Sequence, residues 1–391
     1  MASSRVAGLV GLMALFALIA VACGTAAEST TAGRTPGASA SDDLDARILT
    51  VSDWTTDFSR HSVPLGEFIS GGPAKDGIRS LDNPALVSVA EGVDVFDDRE
   101  PVIAVEINGE ARAYPLGILT RHEIANDVVG GVPVAVTFCP LCNSAIVFDR
   151  TLDGVLYEFG VSGVLRNSDL VMYDRQTETW WQQFTGEAIV GELTGALLDV
   201  VPSNTVSWAD FRSAYPDAQV LSRDTGFAIS YGFNPYVGYD SNDSPFLFRG
   251  EFDPRLSPIE RVVGVDLGGE AIAYPFTLLE EERVIHDVVA GTDIVVFHQP
   301  GTASALDLSM ISEARDVGAA AVYEPRAGGR SLTFHATNDG FVDDQTGSMW
   351  NILGKATDGP LAGEQLTAVV HGDHFWFAWA AFKPETAVFG E

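Results

Sequence analysis

Two stretches of this 391-residue chain match without a gap at an offset of 160 residues. VIAVEINGEARAYPLGIL begins at Val102 and VVGVDLGGEAIAYPFTLL at Val262. The register runs on through NDVVGGVPVAVTFCPLCNSAI and HDVVAGTDIVVFHQPGTASAL, and residues 102–146 and 262–306 share 17 identical positions. Downstream the offset grows to 169, where Asp174, Gln176, Thr177 and Trp181 answer Asp343, Gln345, Thr346 and Trp350. Trp208 and Phe211 answer Trp379 and Phe382 more loosely, and the Ala/Gly-rich segment DVGAAAVYEPRAGG absorbs the extra length. A period this long means two related domains rather than a stack of short units.

Each copy reads as mostly strand. Asn108-Gly109 sits between VIAVEI and ARAYPL, a two-residue hairpin signal, and Gly130-Gly131 and Asp153-Gly154 punctuate further apolar runs. Helical patterning is confined to short pieces such as LGILTRHEIA and WADFRSAY. The expected fold is mainly β with short helices, a β-rich α+β chain. It is built as internally duplicated barrel-like or sandwich-like domains, packed as a pseudo-symmetric pair with a cleft between them.

The N-terminus sets the compartment. One charge, Arg5, precedes an apolar run from Val6 to Ala22, too short for a membrane span and followed by small residues, as in a secretory signal. Ala-Val-Ala-Cys ending at Cys23 resembles a lipobox, with Ala20 where Leu is usual, so Cys23 is the expected lipidation site. Residues 24–48 are small, polar and Pro/Gly-bearing, a flexible tether. The expected division is therefore signal peptide 1–22, tether 23–50, and an extension 51–100 packing on the first domain. A first repeat domain 101–217, a connection 218–259 and a second repeat domain 260–391 follow. The expected product is an exported lipoprotein, anchored to the cell membrane through its lipid and facing the extracytoplasmic side. Net charge is −31, with 54 acidic residues against 23 basic and no basic patch, which argues against nucleic acid as a partner. The acidity itself suits a solvated exported surface or a saline habitat.

Several segments resemble one bacterial and archaeal family, domain of unknown function 3179. They are SGGPAKDGIRSLDNP, INGEARAYPL, RHEIANDVVGG, VTFCPLCNSAIVFDR, DLVMYDRQTETWWQQFTGEAI, NPYVGYD and DPRLSPIERVVGV. The resemblance is strong over residues 68–300, and FCPLC with HE and ND upstream is its most specific mark. It implies no activity. It places His122, Glu123, Asn126, Asp127, Cys139, Cys142, Asp174 and Gln182 on motif positions.

Comparing the copies separates scaffold from chemistry. Tyr114-Pro115 with Tyr274-Pro275, and Asp127 with Asp287, are shared and therefore read as structural. The thiols are not shared: Cys139 and Cys142 correspond to Gln299 and Thr302. Three readings stand for the pair. The first is half of a metal site, because strand, CPLCN turn and strand make a knuckle that aims both sulfurs at one point. Pro140 fixes φ inside the turn, and Asn143 suits the left-handed position after it. Zinc or copper would need further donors. His122, 17 residues upstream of Cys139, is the expected third ligand, with Glu123, Asn126 and Asp127 around it. The second reading is a thiol–disulfide redox pair, which C-P-x-C spacing suits, although no helix follows to stabilise a thiolate. The third is a ligand-binding module whose cysteines form an inert local bridge.

Other candidates are His286 and His298, which would enter the same cleft if the copies face each other, and His371-Gly-Asp-His374, which reads as a polar loop. Trp180, Trp181, Trp350, Trp376 and Trp379 read as core or inter-domain packing. No G-x-S-x-G, H-E-x-x-H or phosphate-binding loop occurs, so no reaction or substrate is indicated.

Overall fold

Asn108 and Gly109 turn the chain with positive φ, 52° and 80°, so that Ile107 pairs with Glu110 across a two-residue hairpin. In the computed structural model, which describes residues 44–45, 48 and 52–391, this hairpin joins β1 (Pro101–Ile107) to β2 (Glu110–Pro115). The expected signal segment, Cys23 and most of the tether lie outside the described residues. Pro115, held at φ −62°, caps the seven-residue α1 (Leu116–His122). Leu116, Ile118 and Leu119 of α1 are buried. The helix stops at Glu123, whose φ of 59° swings the chain into β3 (Ile124–Val129).

Gly130-Gly131 then closes a second tight hairpin into β4 (Val132–Cys139), and the Cys turn leads into β5 (Ser144–Asp149). Next come β6 (Phe159–Arg166), β7 (Asp169–Asp174), β8 (Trp180–Gln182), β9 (Ser203–Ser207) and α2 (Trp208–Ala214). These strands form three sheets, with cores β9-β1-β2, β5-β4-β3 and β6-β7-β8. The extension joins all three: Phe68–Ser70 pairs with β6, Leu81–Asp82 with β3, and Leu86–Ser88 with Gln219–Leu221, itself parallel to β2.

The second half repeats the plan. Its elements are β10 (Arg261–Leu267), β11 (Glu270–Pro275), α3 (Phe276–Glu282), β12 (Val284–Val289), β13 (Thr292–Gln299) and β14 (Ala319–Glu324). They continue with β15 (Phe334–Thr337), β16 (Gly340–Asp343), β17 (Met349–Trp350), β18 (His371–Phe375) and α4 (Trp376–Phe382). Its sheet cores are β18-β10-β11, β12-β13-β14 and β15-β16-β17, the same order as before. Equivalent side chains make equivalent bonds. The Tyr114 and Tyr274 hydroxyls each donate to a carboxylate, Asp127 and Asp287, at 2.8 Å. The Trp181 and Trp350 indoles donate to Asp174 at 2.9 Å and Asp343 at 3.1 Å. The segment His371–His374, expected as a loop, is strand β18, because it pairs with β10 as β9 pairs with β1.

One hydrophobic cluster draws on both halves and includes Trp181, Trp208, Trp350, Trp376 and Trp379. Trp180 instead packs edge-on against Trp54, Phe58 and Phe68 of the extension. Polar bonds also cross between the halves, among them Gln299 Nε2 to Asp210 at 2.7 Å and Arg99 to the Ala314 carbonyl at 3.0 Å. Among the described residues no helix is long and apolar enough to cross a membrane.

Candidate metal centre

Cys139 ends β4 and pairs with Ser144, the first residue of β5. Between them Pro140–Cys142 form a single tight turn, closed by Asn143 in the left-handed region at φ 50°, ψ 36°. The turn carries both thiols, which are unbonded to each other and buried. From the third sheet, Asn167 and Ser168 (φ 52° and 65°) make the two-residue turn that opens β7 at Asp169. That turn lies against the Cys turn: the Ser168 carbonyl accepts from Cys142 Sγ at 3.5 Å and from Cys139 Sγ at 3.9 Å. The two sulfurs and a carboxylate oxygen of Asp169 all lie within 4.8 Å of one another, and all three residues are buried.

Asp169 is held by one edge. Its Oδ2 accepts from Gln182 Nε2 at 2.6 Å and from the Phe184 amide at 3.0 Å. Its Oδ1 is buried and takes no nitrogen or hydroxyl donor among the described residues, leaving the two thiols as the groups within reach of the carboxylate. Burial pushes the Asp169 carboxyl up to about 7. Burial likewise raises both thiols, Cys142 well above its ordinary value. Glu123 is pushed up to about 8, first by burial and then by the charge of Asp169. Among the described residues no Lys or Arg bonds to any of these four acids. Unpartnered buried polar atoms cost about 1–3 kcal/mol each, more when charged. A cation shared by the sulfurs and Oδ1 would satisfy them together.

The connection between the halves forms another wall. Burial raises the phenols of Tyr236 and Tyr239, helped by the charges of Glu123 and Cys139 at Tyr236 and of Cys142 and Cys139 at Tyr239. Their segment hangs from the long loop that follows β13. The amides of Asn234, Gly238 and Tyr239 donate to the carbonyls of Ser309, Asp307 and Leu306 at 2.9, 2.7 and 3.1 Å. The second half also supplies His374, whose Nδ1 meets the Ser144 hydroxyl at 3.0 Å.

The structure sorts the residues singled out in the sequence. Cys139 and Cys142 come together, and Gln182 touches Asp169. His122 does not join them: its Nδ1 meets the Arg79 carbonyl and its Nε2 the Tyr231 hydroxyl, both at 2.6 Å. Asp169 stands beside the two sulfurs instead. Asn126 bridges Asp82 and the Phe159 backbone, Asp127 receives Arg112 and Tyr114, and Asp174 braces its own turn and Trp181. These three are scaffold. His286 accepts from the Phe334 amide within the second half, and His298 is buried edge-on to Phe276, so neither meets the thiols. Asp169 opens the segment DLVMYD, and at the 169-residue offset Asn338 stands in its place. A carboxylate missing from the sister copy, like the thiols, was the signal that could have found it.

A family model described as a protein of unknown function (DUF3179) matches residues 75–386. No curated protein and no solved structure matches the chain.

Proposed function

The chain belongs to the DUF3179 family, whose description carries no activity, and from its residues we propose that it binds a transition-metal ion through Cys139, Cys142 and Asp169. One observation carries this reading. Asp169 is buried and fixed through Oδ2, its Oδ1 takes no nitrogen or hydroxyl donor among the described residues, and it shares with the two thiols a group whose donor atoms all lie within 4.8 Å of one another. Two thiolates with a carboxylate suit Zn²⁺ better than copper(I), which prefers soft donors alone. Three protein donors also leave one tetrahedral position for water or a ligand, with the Glu123 carboxyl close enough for its charge to act on Asp169 and Cys139.

The redox alternative is weaker on physical grounds. A nucleophilic thiolate needs a lowered pKa, whereas burial raises both thiols here, and among the described residues no Lys or Arg bonds to them and no long helix follows them. Metal binding reverses that penalty by displacing the thiol protons. Elemental analysis of purified protein decides: wild type should carry about one equivalent of zinc. Cys139→Ser/Cys142→Ser should carry none, and Asp169→Asn should lose its metal to chelators much sooner. Equal metal content in wild type and the double variant, or a Cys139–Cys142 disulfide in the native protein, would refute the proposal.

A further inference from the structure

A cleft of about 390 Å³ opens at the C-terminal end of α1. Its wall includes Arg79, Thr120, Arg121, His122, Phe227 and Tyr236, and contains no Asp or Glu. That is notable in a chain with 54 acidic residues against 23 basic. Elsewhere Arg112, Arg166, Arg175, Arg223 and Arg255 each pair with a carboxylate within 2.8 Å. Among the described residues Arg79 and Arg121 pair with none. Arg79 has only the face of Phe227, 5.6 Å from the ring centre. Arg121 donates no hydrogen bond to a described residue, and its Nε is buried without a partner. The neighbouring Thr120 hydroxyl is buried and unpartnered too.

We propose that this cleft binds a small oxyanion, a carboxylate or a phosphate, gripped by the Arg121 guanidinium with Arg79 at the rim. The guanidinium fork matches the two oxygens of such a group, and charge-assisted bonds there replace donors the fold leaves unused. Phe227 and Ile229 offer apolar surface to the carbon part of a ligand. The His122 imidazole, tied to Arg79 and through Tyr231 to Thr225, fixes the wall. The net charge of −31 opposes anions at long range. At physiological salt that repulsion is screened beyond about 8 Å, so the two local arginines decide. The inference does not rest on the metal, although Tyr236 is a wall shared with that centre.

Calorimetric titration of the full chain tests it, with inorganic phosphate and acetate as separate probes. Wild type should bind at least one of them saturably, and the tighter one identifies the class. Arg121→Gln should weaken binding about tenfold or more. Arg121→Lys and Arg79→Gln should weaken it less, and exposed Arg60→Gln, outside the cleft, should leave it unchanged. Binding retained in Cys139→Ser/Cys142→Ser separates this site from the metal centre. No saturable binding of either probe, or Arg121→Gln and Arg79→Gln both binding as wild type does, would overturn the proposal.

Discussion

A carboxylate binds a metal best when it cannot rotate, and at Asp169 that constraint comes from one side chain and one backbone amide. Gln182 Nε2 and the Phe184 amide both hold Oδ2, and Gln182 is in turn reached by Arg166 at 3.3 Å. Replacing Gln182 with Leu keeps the volume and removes the donor. Partners of this kind typically contribute 10–100-fold in metal affinity, so about a tenfold loss is expected for Gln182→Leu, measured by competition with a chromophoric chelator. An unchanged affinity would mean that the backbone amide alone orients the carboxylate. At this scale the sequence was half legible. Cys139 and Cys142 announce themselves by spacing, because two sulfurs on one turn need only local geometry. The third member of the group does not, since Asp169 arrives from another sheet. His122 lay within reach along the chain, but α1 ends with its ring turned to Arg79 and Tyr231. Sequence distance measures neither.

The Cys turn works because Asn143 accepts a left-handed backbone. At φ 50° a β-carbon crowds the following carbonyl, which costs about 1–2 kcal/mol for residues other than Gly and Asn. Asn143→Ala should therefore destabilise the protein by about 1 kcal/mol in urea unfolding, while Asn143→Gly should be near neutral. If Ala and Gly behave alike, backbone strain is not what selects Asn at this position. The hairpins at Asn108-Gly109 and Gly130-Gly131 follow the same left-handed logic and were plain in the sequence. Strand β18 was not, because His371-Gly-Asp-His374 carries no β-branched or alternating pattern. It becomes a strand by pairing with β10, a long-range contact that local propensity does not encode.

Acid tests the molecule as a whole. His298 is buried, and burial lowers its pKa to about 4, against about 6.5 in an unfolded chain. Above pH 6.5 neither state holds the proton. As pH falls from 6.5 towards 4 only the unfolded state takes it up, so stability drains across that window, by roughly 3 kcal/mol at most. His374, lowered to about 3, acts the same way. Asp169 and Glu123, raised to about 7 and about 8, act oppositely, losing stability as pH rises from about 4. Comparing wild type with His298→Leu isolates one group: the variant should lose less stability between pH 6.5 and 4, and parallel curves would contradict the assignment. The duplicated plan was visible in the sequence because shared turns and buried pairs repeat. What each copy does for the other was not. The loop after β13 occupies the place of the Cys turn, and it holds the segment bearing Tyr236 and Tyr239 against the first copy's thiols. The second copy thus lacks the thiol pair and instead buttresses the segment packed beside its twin's. Writing cysteines at Gln299 and Thr302 would not create a second thiol group of the same kind, because the loop there is already committed to holding Asn234, Gly238 and Tyr239 for the first copy, so neither copy is equipped for a solitary life.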